Sequence, residues 1–64
     1  MIRLISWDSY GTLKFDIRGA LYIYNVEPAR MPKILKIAQK SAGKALALVK
    51  KFAGKNYVKE EIKE

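Results

Sequence analysis

Residues Thr12 to Val26 read TLKFDIRGALYIYNV, and the alternation within this stretch decides the fold. Leu13, Phe15 and Ile17 alternate with Lys14, Asp16 and Arg18, the period of two expected of a strand with one buried face. After Arg18-Gly19-Ala20, Leu21 and Ile23 alternate with Tyr22 and Tyr24 in a run of strand-favouring residues. Gly19 supplies the positive φ that a tight reversal demands, so the stretch predicts a β-hairpin.

Working outward, Ile2 to Trp7 predicts a preceding strand, with Ile2 and Leu4 on one face and Arg3, Ile5 and Trp7 on the other. Asp8-Ser9-Tyr10-Gly11 between the two has turn chemistry. Three sequential strands joined by short turns make an antiparallel meander. Two registrations are open. In one, Leu13, Phe15, Ile17, Leu21 and Ile23 join Ile2 and Leu4 beneath the helices. The other face then shows Arg3, Ile5, Trp7, Lys14, Asp16, Arg18, Tyr22 and Tyr24 as an aromatic and basic surface. In the other registration Tyr22, Tyr24 and Val26 are buried beside Trp7, and Leu21 and Ile23 are exposed. A one-residue slip in pairing exchanges the two sets.

Val26-Glu27-Pro28 ends the sheet, and Pro28 and Pro32 both suit a first helical turn. From Met31, apolar residues recur at Leu35, Ala38, Ala42, Ala45, Val49 and Phe52 in steps of four and three, an amphipathic helical stripe. One unbroken helix of about 22 residues would run roughly 33 Å over strands of roughly 20 Å. A break at Ser41-Ala42-Gly43 is therefore favoured over continuity, with Ser41 as an N-cap. Gly54 reads as the stop, and residues 56–64 as a short frayed tail. The expectation is one small α+β domain over residues 1–55: a three-stranded antiparallel β-meander followed by a C-terminal helix or kinked helix pair packed on one face.

Sixty-four residues bury only about 60% of the unfolded surface, which leaves a small core. With no cysteine there is no disulfide, and with no histidine either a structural zinc site is disfavoured. Good packing or self-association remains, so a homodimer stays open. No apolar run reaches the length of a membrane span and the N-terminus lacks a signal-peptide pattern, so a cytoplasmic protein is expected.

The net charge of +7 is unevenly placed. Residues 1–27 carry three cations and three anions, residues 28–55 eight cations and no anion, and residues 56–64 two cations and three anions. A field of that sign favours polyanions. Lys33, Lys36, Lys40, Lys44 and Lys51 are candidate phosphate contacts on the helical side, and Arg3, Lys14 and Arg18 on the sheet. Tyr22, Tyr24 and Trp7 are candidate base-stacking residues. Catalysis has little to work with: no histidine activates Ser6, Ser9 or Ser41, the acids show no paired spacing, and no Gly-rich phosphate loop exists. No enzyme activity, cofactor, metal or small-molecule substrate is expected.

Trp7-Asp8, Leu13, Phe15, Gly19, Tyr22-Ile23-Tyr24, Val26 and Pro28 together resemble the KTSC domain. That small module occurs alone or at the C-terminus of some lysyl-tRNA synthetases. The resemblance covers about residues 5–43, with Ser41 and Gly43 matching its small-residue turn; Glu27 departs from it by separating Val26 from Pro28. It implies a non-catalytic RNA-binding module. The function expected is thus a small basic nucleic-acid-binding protein, RNA before DNA, with a protein-interaction or homodimerisation module as the alternative.

Overall fold

The computed structural model describes residues 1–61; Ile62, Lys63 and Glu64, the end of the expected tail, lie outside the described residues. Strands β1 (Ile2–Trp7), β2 (Thr12–Ile17) and β3 (Ala20–Asn25) follow one another as an antiparallel meander. A 3₁₀ turn at Pro28–Arg30 then leads into helices α1 (Met31–Lys40) and α2 (Ala42–Ala53). The chain returns to the sheet as β4 (Tyr57–Glu61), antiparallel to β3, and the strand order is β1-β2-β3-β4. The class is α+β, but the sheet has four strands where the sequence predicts three. The fourth stands in the expected tail, because Tyr57 and Val58 are strand formers lying within reach of the unpaired edge of β3.

The helical stripe does break. Ser41 is extended and its hydroxyl accepts the Lys44 amide at 3.2 Å, so it ends α1 and caps α2. The break turns a helix too long for the sheet into two that lie side by side on it, and Gly54 ends the second. Leu13, Phe15 and Tyr24 from the sheet meet Met31 and Ile34 of α1 and Ala45, Leu46, Val49 and Ala53 of α2 in the core.

Two local features set which side chains face that core. Ile17 pairs directly with Ala20, leaving a two-residue turn in which Arg18 (φ 52°) and Gly19 (φ 82°) both lie in the left-handed region. That is the geometry of a type I′ hairpin, whose twist matches its strands. Pairing across an even loop puts Leu13 opposite Tyr24 and Phe15 opposite Tyr22. The tyrosines therefore share the helix-facing side with Leu13, Phe15 and Ile17, and Leu21 and Ile23 face away, as in the second registration. The other feature is a β-bulge in β1. Leu4 pairs with Phe15 and Ser6 with Lys14, so Ile5 is an extra residue and the alternation resets. Trp7, opposite Leu13, thereby joins Ile2 and Leu4 on the helix side, which corrects its expected place beside Arg3.

The β1–β2 turn is held by Asp8, whose Oδ1 accepts the amides of Tyr10 (2.9 Å) and Thr12 (3.1 Å). Gly11 follows at φ 95°, and its carbonyl accepts the Val26 amide at 2.9 Å. This bond ties the turn to the exit from β3.

Candidate nucleic-acid interface

The expected platform of Tyr22, Tyr24 and Trp7 with Arg3, Lys14 and Arg18 is not one surface. Arg3 and Lys14 lie on the open face of the sheet, and Arg18 is exposed at the tip of the hairpin. Arg3 donates to Asp16 at 3.0 Å, which neutralises much of its field. Tyr22 and Tyr24 lie on the helix side instead, and Tyr24 is only 1% exposed, its ring edge-to-face with Phe15 at 6.1 Å. A side chain so enclosed serves the core and has no free face for a base. Trp7 is 55% exposed at the far edge of the sheet, where with Leu4, Leu35 and Ala38 it lines an apolar groove of about 440 Å³ between β1 and α1.

What the fold assembles is a different aromatic group. Tyr22, Tyr24 and Tyr57 form a triangle on the helix side of β3 and β4, with centroids 5.3–6.5 Å apart. Tyr57 is 45% exposed and Tyr22 half-buried, so these two present ring surface to solvent. They line a cleft of about 310 Å³ with Ile17, Lys50 and Gly54, and the Lys59 ammonium lies 5.7 Å from the Tyr22 ring centroid. Burial, with further contributions from Tyr57 and Tyr22, raises the Tyr24 hydroxyl above the ordinary tyrosine value.

Tyr57 and Lys59 escape a reading that ends the domain at residue 55, whereas Lys50 lies within that bound, among the helical cations but not among the candidate contacts. The only sequence signal for Tyr57 and Lys59 is the strand-favouring pair Tyr57-Val58, followed by the charged residues Lys59-Glu60-Glu61 that suit an edge strand.

The helical cations are where the periodicity puts them. Lys33, Lys36 and Lys40 of α1 and Lys44 and Lys51 of α2 are all exposed, as are Lys50 and Lys55. None of them forms an ion pair among the described residues. Arg30 differs: its guanidinium stacks on Phe52, 3.9 Å from the ring centroid, and approaches Glu27 at 3.8 Å, so it joins the start of the helical layer to its end. The outer surface of the helices is therefore a field of unpaired ammonium groups, with the tyrosine cleft opening at its flank through Lys50.

Among the described residues, no group of three or more acids, histidines or cysteines lies close enough to hold a metal, and no helix is long and apolar enough to cross a membrane. Compared with family models, curated proteins and solved structures, the chain matches none.

Proposed function

We propose that this chain is a small basic nucleic-acid-binding protein, RNA before DNA, acting by binding alone and mainly by electrostatics. The observation that carries the reading is the one-signed helical layer: eight cations and no acid over residues 28–55, with the lysines exposed and free of ion pairs among the described residues. Ordinary surface helices mix signs and gain from pairs three or four residues apart, which this layer forgoes. Lys33, Lys36, Lys40, Lys44 and Lys51 would contact phosphates and release their condensed counterions. The cleft beside Lys50 adds exposed tyrosine surface, on which an unpaired base can stack but a base within a duplex cannot. Preference for single strands follows from Tyr22 and Tyr57 rather than from Tyr24 or Trp7. The KTSC resemblance points to the same ligand.

The test is fluorescence anisotropy with labelled single-stranded RNA, single-stranded DNA and duplex DNA over a salt series. The reading requires saturable binding whose log K falls linearly with log salt, with single-stranded RNA bound tightest. No saturable binding to any of the three at low salt would overturn it.

A further inference from the structure

The face of the sheet turned away from the helices carries a second pattern. Register sets two rows across it: Arg3, Asp16, Leu21 and Glu60 in one, and Ser6, Lys14, Ile23 and Val58 in the other. Leu21, Ile23 and Val58 take no part in the core, and Val58 is 56% exposed. The four charges on this face balance, two of each sign, and Arg3 and Asp16 are already paired. An apolar centre with neutral surroundings thus backs directly onto a layer whose lysines all point the other way.

We propose that this open face is the contact surface of a weak two-fold homodimer in which two sheets pack face to face with the helical layers outermost. Charge decides the occupant. Two chains of net charge +7 repel each other through any approach that involves the helices, and the balanced sheet face is where they meet with least repulsion. The rows are also self-complementary. A two-fold axis lying in the face, across the strands and midway between the rows, sets Lys14 over Asp16 of the second copy and Ile23 over its Leu21. Sheets stacked this way pack with their strands roughly aligned. Four strands about 4.8 Å apart, each five or six residues long, give a footprint of roughly 300 Å² per copy. A stable dimer commonly buries about 800 Å² a side, so this contact belongs to the weak, concentration-dependent class.

Salt separates the dimer from nucleic-acid binding. Screening relieves repulsion between the two copies but weakens phosphate contacts, so the two associations respond to salt in opposite directions. The experiment is sedimentation equilibrium of the full chain, without nucleic acid, up to about 1 mM protein at about 0.1 M and about 0.5 M salt. The expected result is a reversible monomer–dimer equilibrium, stronger at the higher salt. The same axis sets Val58 against Glu60 of the second copy, so Ile23→Lys and Val58→Glu should each weaken the dimer at least tenfold. Val58 is exposed at the edge, so its replacement leaves the core intact, and far-UV circular dichroism checks both variants. A monomer at every concentration and salt overturns the proposal, and so does a dimer that both folded variants retain unchanged.

Discussion

The guanidinium of Arg3 and the carboxylate of Asp16 meet at 3.0 Å across β1 and β2, while the second oxygen of the same carboxylate accepts the Gly19 amide at 3.2 Å. One ionised side chain therefore fixes the β1–β2 register and the turn that sets the parity of β3. Asp8 does a similar service at the opposite end of β2, accepting two amides in its own turn. The sheet is held at both ends by carboxylates whose accepted bonds favour the ionised form.

Both acids lie below their usual range, Asp16 through the Arg3 hydrogen bond first and the Gly19 amide as well, Asp8 mainly through the Thr12 amide. A depressed folded-state pKa gives stability that is full above the unfolded value of about 4 and is lost as pH falls through the folded value. Thermal unfolding followed by circular dichroism should show the melting temperature dropping below about pH 4. The Asp8→Asn, Asp16→Asn double variant should melt lower at pH 7 and show a smaller acid-induced drop. An equal drop in both proteins would assign acid sensitivity to other carboxylates.

Tyr24 gives the opposite limb. Its raised folded pKa favours the neutral phenol, so its contribution is full below the unfolded value of about 10 and is lost as pH rises through the folded value. Absorbance titration of the phenolate band should find a late step, above the ordinary tyrosine value, that belongs to Tyr24. Tyr24→Phe should keep the fold and abolish that late step. Tyr24→Ala, which empties the largest fully buried site, should cost about 3–5 kcal/mol and leave a domain this small largely unfolded.

Gly11 and Gly19 both have positive φ, yet their replacement should differ in cost. A Cβ at Gly11 would stand 2.0 Å from the Val26 carbonyl oxygen, whereas one at Gly19 meets nothing within 4 Å. Gly19→Ala should cost about 1–2 kcal/mol, the backbone penalty alone. Gly11→Ala should cost clearly more, because backbone must shift as well. Urea midpoints of the two variants give the comparison.

Tyr57 and the helical lysines should separate by ligand. Tyr57→Ala should weaken single-stranded RNA binding by about 1–3 kcal/mol and leave both duplex affinity and the salt slope unchanged. Lys36→Ala with Lys40→Ala should weaken every nucleic acid and lower the slope by about two. Anisotropy titrations over salt read both.

Much of this was legible in the sequence. Period-two alternation in Leu13, Phe15 and Ile17 and the helical stripe from Met31 require only side-chain spacing, and both elements form where that spacing puts them. Ser41 combines a capping side chain with a position where an unbroken helix would overrun the sheet, so the break was visible too. Parity was not. The pairing of Ile17 with Ala20 depends on Arg18 taking a left-handed conformation that arginine seldom adopts, and the loop could as well have contained three residues. The bulge at Ile5 leaves no mark in an unbroken run of strand formers, and with it went the position of Trp7. β4 is a strand only because β3 offers an edge, so residues 57–61 in isolation read as a tail. These three tertiary facts place Tyr22 and Tyr57 in the cleft beside Lys50 and not on the open face of the sheet, the other placement that the alternation allowed.

β4 also protects. β3, ALYIYN from Ala20 to Asn25, contains no charge and no proline and is rich in strand formers, the composition of a segment that templates cross-β assembly. β4 covers its edge with a strand whose residues are all exposed and include Lys59, Glu60 and Glu61. That cover reaches its place only after the chain has passed through both helices, so its pairing is the longest-range in the sheet and forms slowly. An exposed edge strand is also among the first parts of a fold to open. Protection of the β3 edge therefore rests on five residues that carry none of the core, and shortening the chain before Tyr57 would leave that edge as a seed for aggregation.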